Sequence, residues 1–197
     1  MKKIFVINAG QKLGESEGQL NKTLSDWTAG YFKNSGEYEI KFTDINSEYN
    51  LSEEVEKFVW ADVIIYHTPI WWFQLPFGFK EYIDRVFSEG HQKIYVSDGR
   101  RSANPTRNYG TGGALHGRKY MLTTTWNAPE EAFTIEDEFF RQHSVDDGVM
   151  FGFHQMNQFI GLSRIESFHF YDVMKNPQID HSKEIYLKHL EKITPSL

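Results

Sequence analysis

Short apolar runs alternate with amphipathic stretches along the whole chain. Buried or alternating runs predict five strands, over residues 3–8, 38–43, 62–67, 119–125 and 164–170. Between them, apolar residues at helical spacing predict helices over 19–34, from a Ser52 cap through Val59, over 76–87, over an acidic stretch at 129–141, and over 182–193. Residues 88–117 are left as a long loop, and residues 151–160 form an apolar, aromatic stretch.

Strand–helix alternation repeated five times predicts an α/β fold. Consecutive strands joined by helices pair in parallel through right-handed crossovers, so that helices cover both faces of the sheet. Five strands suit a doubly wound sheet of flavodoxin-like order. No repeat or linker divides the chain, and we therefore expect one domain, 1–197. In such sheets ligands bind beyond the carboxyl ends of the strands.

Composition narrows the class of function. The absence of cysteine excludes disulfides, thiolate metal sites and cysteine nucleophiles. A net charge of −6 disfavours nucleic acid as a partner, because phosphate binding needs clustered Lys and Arg. The chain has neither a signal-peptide pattern nor an apolar run long enough for a membrane span, so we expect a cytoplasmic protein. Aromatic residues are abundant, at 16%.

The loop after the first strand is polar and enters a helix. It matches neither a Walker loop nor a GxGxxG fingerprint. Its Gly, Ser, Asn and Thr residues around the helix start would suit a diphosphate, since backbone N–H groups and the positive helix end attract anions. The alternative is an ordinary capped helix.

Two tryptophans, Trp71 and Trp72, stand between Pro69 and Pro76 after the third strand. Such a segment can form a rigid wall for a planar ring, and the alternatives are a hydrophobic plug or a dimer contact. Two further segments, Asn108–Gly113 and Thr124–Pro129, combine aromatic residues with backbone donors. Together these loops offer what a flavin requires: phosphate donors, a slot for the ring system, and donors along its pyrimidine edge.

Other chemistries receive less support. The eight histidines show no HExxH or close paired spacing, so we expect no metal site. The absence of GxSxG disfavours an α/β-hydrolase. Arg100, Arg101 and Arg107 form a basic cluster that is either solvated or able to attract a phosphorylated cofactor.

The sequence resembles the flavodoxin-like NADPH:quinone oxidoreductases of the modulator of drug activity B type. The resemblance rests on segments spread in order over nearly the whole chain: 16–21, 61–63, 71–72, 80–84, 89–91, 97–100, 109–113 and 125–129.

The resemblance implies FAD as the cofactor, NADPH as the electron donor, and a homodimer with the flavin near the subunit interface. Transferred position by position, it places the diphosphate and adenosine side on Ser16, Gly18, Gln19, Leu20, Asn21 and Thr23. It places the isoalloxazine on Pro69, Ile70, Trp71, Trp72, Thr124, Thr125, Trp126 and Asn127, with Tyr109 nearby.

The resulting hypothesis is an enzyme that reduces quinones by two-electron, ping-pong hydride transfer through flavin. Tyr109 and Asn127 are the candidate catalytic hydrogen-bond donors, and His116 is a weaker candidate proton donor. We expect the dimer interface to use Phe151, Phe153, Met156, Phe159 and Ile160. Two alternatives remain open: a flavodoxin-like electron-transfer protein, and a general reductase of azo or nitro compounds.

Overall fold

The protein is described by a computed structural model that covers residues 1–14, 16–175 and 177–197. A parallel sheet forms its centre, in the strand order β4-β1-β5-β6, and β7 and β8 both pair with β6. The strands are β1 (Lys2–Asn8), β2 (Lys12–Leu13), β3 (Ser16–Glu17), β4 (Tyr38–Asp44), β5 (Val63–Pro69), β6 (Lys119–Thr125), β7 (Ser163–Arg164) and β8 (Phe168–Phe170). The short strands β2 and β3 form a separate antiparallel hairpin.

Helices cover both faces of this sheet, as the alternation of elements predicts. They are α1 (Gln19–Ser35), α2 (Leu51–Trp60), α3 (Phe77–Glu89), α4 (Glu131–Thr134), α5 (Phe151–Phe159) and α6 (Ile179–Ile193).

Alternate residues of the strands supply two separate cores. On β1, Ile4 and Val6 pack with Leu24 and Phe32 of α1 and with α6. Phe5, which points to the opposite face of the sheet, packs instead with residues of α2, α3 and α5. Burial on both faces explains why the central strands are continuous apolar runs. The flavodoxin-like α/β fold expected from the sequence is confirmed.

Three local predictions are wrong. The fifth strand is two short strands, β7 and β8, separated by residues 165–167, where Ile165 packs into the core and its N–H still donates to the Tyr120 carbonyl. The helix expected over 129–141 ends at Thr134, and the following turns instead bring Phe140 onto Phe133, with ring centroids 3.9 Å apart. Asn50, not Ser52, caps α2, since its side chain accepts the Glu53 N–H.

The expected interface stretch divides between surface and core. Phe153 and Ile160 are buried within the chain itself, Phe153 against Tyr66 at a centroid distance of 5.1 Å. Phe151 is exposed, while Met156 and Phe159 are partly buried. An interface could therefore use only part of this segment.

Over the described residues, none of the helices is long and apolar enough to cross a membrane.

Candidate functional site

A pocket of about 450 Å³ opens at the carboxyl edge of the sheet. Because all the strands of the main sheet run parallel, the segments that follow β1, β5, β6 and β8 converge at this edge. Each of these segments contributes to the lining, which consists of Ser16, Glu17, Gly18, Gln19, Leu20, Asn21, Pro69, Ile70, Trp71, Thr125, Asn127, Val173 and Met174. The structure thus brings together ten of the predicted cofactor-binding residues.

The pocket meets the first turn of α1, where the backbone N–H groups are free to bind a ligand. Gly18 takes a left-handed conformation with φ 70°, and within the described chain no side chain caps this helix. The first turn also has no acidic residue. Uncapped N–H groups at a helix N-terminus favour an anion, as the sequence predicts for a diphosphate.

Close backbone packing holds the loop before α1 in place. A Cβ built on Gly10 would lie 2.6 Å from the Gly18 carbonyl oxygen. The backbone segments at these two positions can therefore lie this close only if residue 10 is glycine. The Gly10 N–H donates to Asn8 Oδ1 at 3.0 Å, and Asn46 Nδ2 donates to the Gly10 carbonyl at 2.6 Å. These contacts hold the loop that precedes the backbone amides of the pocket in one position.

Asn21 joins the two sides of the pocket. Its Nδ2 donates to Thr125 Oγ1 at 3.1 Å, which ties α1 to the end of β6. Its Oδ1 is buried and has no hydrogen-bond partner among the described residues. An unsatisfied buried acceptor costs free energy, and a ligand hydroxyl or N–H would satisfy it.

The two adjacent tryptophans, Trp71 and Trp72, lie in different environments. Trp71 lines the pocket, and its backbone closes a tight turn with Gln74 through two bonds of 3.0 Å. Trp72, at the tip of this turn, is 91% exposed and does not line the pocket. Trp72 and Phe73 have φ values of 49° and 62°, a region that costs a non-glycine residue roughly 1–2 kcal/mol. In this conformation the Trp72 side chain is exposed at the tip of the turn, and the Phe73 ring stacks on Phe139 with centroids 5.3 Å apart.

Two residues assigned to the flavin ring belong to the interior instead. The Trp126 side chain is buried against Phe133, with centroids 5.1 Å apart, and its indole donates to Thr124 Oγ1 at 2.7 Å. Thr124 is buried and also contacts His169. The Trp126 backbone N–H is already bonded to the Phe170 carbonyl, so it is not free for a cofactor. The reason is the two-residue period of β6, which turns Thr125 to the pocket and Thr124 away from it.

Tyr109 and His116 lie away from this pocket. Helix α3 ends and β6 begins at the amino edge of the sheet, so the loop that joins them, which carries both residues, starts and finishes at that edge. Tyr109 packs beside Phe159, with centroids 6.0 Å apart, and is 71% exposed. The expectation that this loop lies on the ligand side of the same chain is therefore wrong: only loops that follow strands reach the carboxyl edge.

Thr23 is half-buried on α1 and also falls outside the lining, one turn beyond the pocket. Sequence reasoning missed Glu17, Val173 and Met174. A signal for the last two existed, because the loop after the final strand ends at the same edge as the other ligand-side loops.

The donor set fits a flavin. Free amides at a helix start suit its phosphate, the buried Asn21 oxygen suits a hydroxyl, and Ile70 and Trp71 offer apolar surface to a ring system. Among the described residues, no group of three or more His, Asp or Glu side chains is arranged to hold a metal ion.

Comparisons with known proteins agree with this geometry. Residues 2–193 match the model of a family described as having a flavodoxin-like fold. The NADPH:quinone oxidoreductase MdaB of Haemophilus influenzae is 45% identical over 190 residues, covering 96% of this chain and 98% of that protein. An uncharacterised protein of Schizosaccharomyces pombe is 41% identical, covering 97% and 96%.

Solved structures share the fold at lower identity. A Klebsiella pneumoniae protein provisionally described as a quinone reductase has a TM-score of 0.73 at 19% identity, over 98% of this chain and 85% of that chain. The general stress protein 14 of Treponema denticola, solved in complex with FMN, has a TM-score of 0.67 at 19% identity, over 98% and 99%. The extent and identity of the sequence matches show that this chain is an enzyme of the flavodoxin-like family, among the NADPH:quinone oxidoreductases of the modulator of drug activity B type.

Proposed function

We propose that this protein uses a flavin bound at the carboxyl edge of the sheet to transfer electrons from NADPH to quinones. The observation that carries the proposal is the pocket itself, in which uncapped helix amides, an unsatisfied buried Asn21 oxygen and the Trp71 turn face one cavity. When bound, the flavin would accept hydride from NADPH and deliver it to the quinone.

The chain's own residues would bind and orient the cofactor. The α1 N-terminus after Gly18 would hold a phosphate, and Asn21 would accept a hydrogen bond from the cofactor while its Nδ2 keeps Thr125 in place. Pro69–Trp71 and Asn127 would border the ring system. Asn127 is exposed at the mouth of the pocket, so it remains the candidate donor to charge that develops during hydride transfer.

We further propose FAD as the cofactor, although a structural relative binds FMN. Between Ala9 and Gly18 the first loop has one hydroxyl side chain, Ser16, and that hydroxyl donates to the Gln11 carbonyl at 3.2 Å. The FMN phosphate concentrates almost two negative charges and three free oxygens on one phosphorus, whereas each phosphate of the FAD diphosphate carries one charge and two free oxygens. A loop that offers mainly backbone amides therefore suits the diphosphate better.

The expected homodimer also remains a proposal. It is supported by aromatic residues exposed on the surface of the chain, namely Trp72, Phe73, Phe77, Phe139 and Phe151. Within such a dimer, Tyr109 and His116 could reach a flavin only in the pocket of the other subunit, because their own loop lies at the opposite edge. The cytoplasmic location expected from the sequence stays a prediction.

Two measurements on the purified protein test this proposal. Chromatography of the cofactor released on denaturation should give FAD, and FMN alone would refute the FAD assignment. Initial rates with NADPH and a simple quinone should give parallel double-reciprocal lines, as expected if donor and acceptor use one pocket in turn. Intersecting lines would refute the shared pocket. A protein that binds neither flavin after reconstitution would refute the function as a whole.

A further inference from the structure

A partly buried hydrogen-bonded cluster formed by Asp146, His154 and His169 lies beside β6, outside the pocket lining. Asp146 Oδ1 faces two imidazoles, His154 Nε2 at 2.9 Å and His169 Nε2 at 3.4 Å. The side chains of all three residues are at most about one-fifth exposed. Arg164 approaches the other carboxylate oxygen at 3.7 Å.

One branch of this cluster reaches the end of β6. The Trp126 indole N–H donates to Thr124 Oγ1, and Thr124 Oγ1 lies 2.7 Å from His169 Nδ1. An indole N–H can only donate and an ionised carboxylate can only accept. In the arrangement in which a neutral His169 carries its proton on Nε2, facing Asp146, Thr124 donates its hydroxyl hydrogen bond to Nδ1. The branch therefore links Asp146 to the Trp126 indole through His169 and Thr124.

The carboxylate is held in its ionised form. Burial alone would raise the pKa of Asp146, but hydrogen bonds from His154 and His169 outweigh it and lower the pKa well below its usual value. Tyr120 closes the other branch, with its hydroxyl 2.7 Å from His154 Nδ1. That second branch ends at Tyr120 and does not include Thr124 or Trp126.

The first branch ends beside the pocket wall. Thr125 and Asn127, the neighbours of Trp126, both line the pocket, and Thr125 accepts from Asn21. The orientation of the Trp126 side chain therefore bears directly on the backbone turn that carries two pocket residues.

We propose that Asp146 and His169 are positioning residues for the pocket: through Thr124 they hold the Trp126 indole, and with it the Thr125–Asn127 turn, in the geometry that binds the cofactor. The inference rests on the proposed flavin site. The role is indirect, since neither residue lines the pocket.

The test uses nitrogen-15-labelled apoprotein, in which the resonance of the Trp126 indole N–H is assigned by its loss in Trp126→Phe. Asp146→Ala removes the shared acceptor, and Asp146→Asn keeps its shape without the charge if the alanine variant does not fold. We expect either variant to shift the Trp126 resonance and to weaken FAD binding roughly five- to tenfold, the range of one or two hydrogen bonds.

Two matched comparisons separate positioning from general packing. Thr124→Val should reproduce the effect of Asp146→Ala, whereas Thr124→Ser keeps the hydroxyl and should restore both readouts. Tyr120→Phe removes a hydrogen bond from the same cluster on the branch that does not reach Trp126, and it should leave both readouts near wild type.

The proposal is overturned if the Asp146 variants leave the Trp126 resonance and the FAD affinity unchanged, or if Tyr120→Phe changes them equally. Wild-type protein that binds no flavin would instead overturn the proposed function, and with it a role in cofactor binding. The indole measurement needs no flavin, so the two failures are distinguishable.

Discussion

Replacing Asn21 by Asp places one negative charge in the pocket with almost no change of shape. Asn21 is the third residue of α1, about 4.5 Å along the helix axis from Gly18. Thr125 Oγ1 can donate to a carboxylate as readily as it accepts from the amide, so the link to β6 survives. A carboxylate in the first turn of a helix is also favourable by about 0.3–1 kcal/mol. Desolvation of the new charge outweighs this gain, because Asn21 is only 3% exposed, so the folded apoprotein should lose stability relative to the wild type.

Flavin affinity should fall sharply in the same variant. A cofactor phosphate at the helix start would lie about 5–8 Å from the new charge, and at an effective dielectric constant near 20 the repulsion is about 2–3 kcal/mol. That corresponds to a roughly 30- to 150-fold rise in the Kd for FAD. Because the effect is electrostatic, added salt should reduce it.

The assay is titration of apoprotein with FAD at about pH 8, where a carboxylate is ionised, together with urea unfolding without flavin. Asn21→Ala is the control, because it removes the hydrogen bond without adding charge. It should lose roughly 1–3 kcal/mol of stability but bind FAD only a few-fold more weakly. Equal losses of affinity in the two variants, or unchanged affinity in Asn21→Asp, would refute a phosphate site at this helix end.

Gly10, His67 and the oligomeric state of the chain can each be tested separately. Gly10→Ala should cost roughly 1–3 kcal/mol in urea unfolding and abolish flavin retention, because its Cβ would meet the Gly18 carbonyl; Gly30→Ala, on open α1 surface, should be neutral or stabilising. Burial lowers the pKa of His67 to about 3, so between about pH 6.5 and pH 3 the unfolded chain binds a proton at this residue that the native state does not. The free energy of unfolding therefore decreases as the pH is lowered through this range. Between pH 7 and pH 5 this contributes a loss of about 2 kcal/mol, which His67→Gln should remove; an unchanged slope in that variant would refute it. Light scattering should give a homodimer, and a monomer at micromolar concentration would contradict that proposal.

The sequence was sufficient for the framework and for much of the pocket lining. Continuous apolar runs such as Val63–Pro69 are buried on both faces and so identify the central strands. The rule that loops after parallel strands converge predicts that Gly18–Asn21 and Pro69–Trp71 lie together, and they line one pocket.

What the sequence did not supply depends on tertiary packing. The stretch after Glu131 has helical spacing, yet the contact between Phe133 and Phe140 ends the helix after one turn. Trp126 beside Asn127 suggested an exposed ring contact, and only the packing of Phe133 shows that the indole is interior. The error with Tyr109 was topological, since its loop precedes a strand instead of following one.

An anaerobic double-mixing experiment on the flavin-loaded protein tests directly whether a flavin in this pocket carries electrons from NADPH to a quinone. NADPH should first bleach the visible absorbance of the flavin, and a quinone added next should restore it, each at a rate no slower than steady-state turnover. Gly10→Ala, reconstituted under the same conditions, should show neither phase because its pocket no longer holds the cofactor. Bleaching without recovery by quinone, or normal phases in that variant, would contradict a quinone reductase whose flavin occupies this pocket.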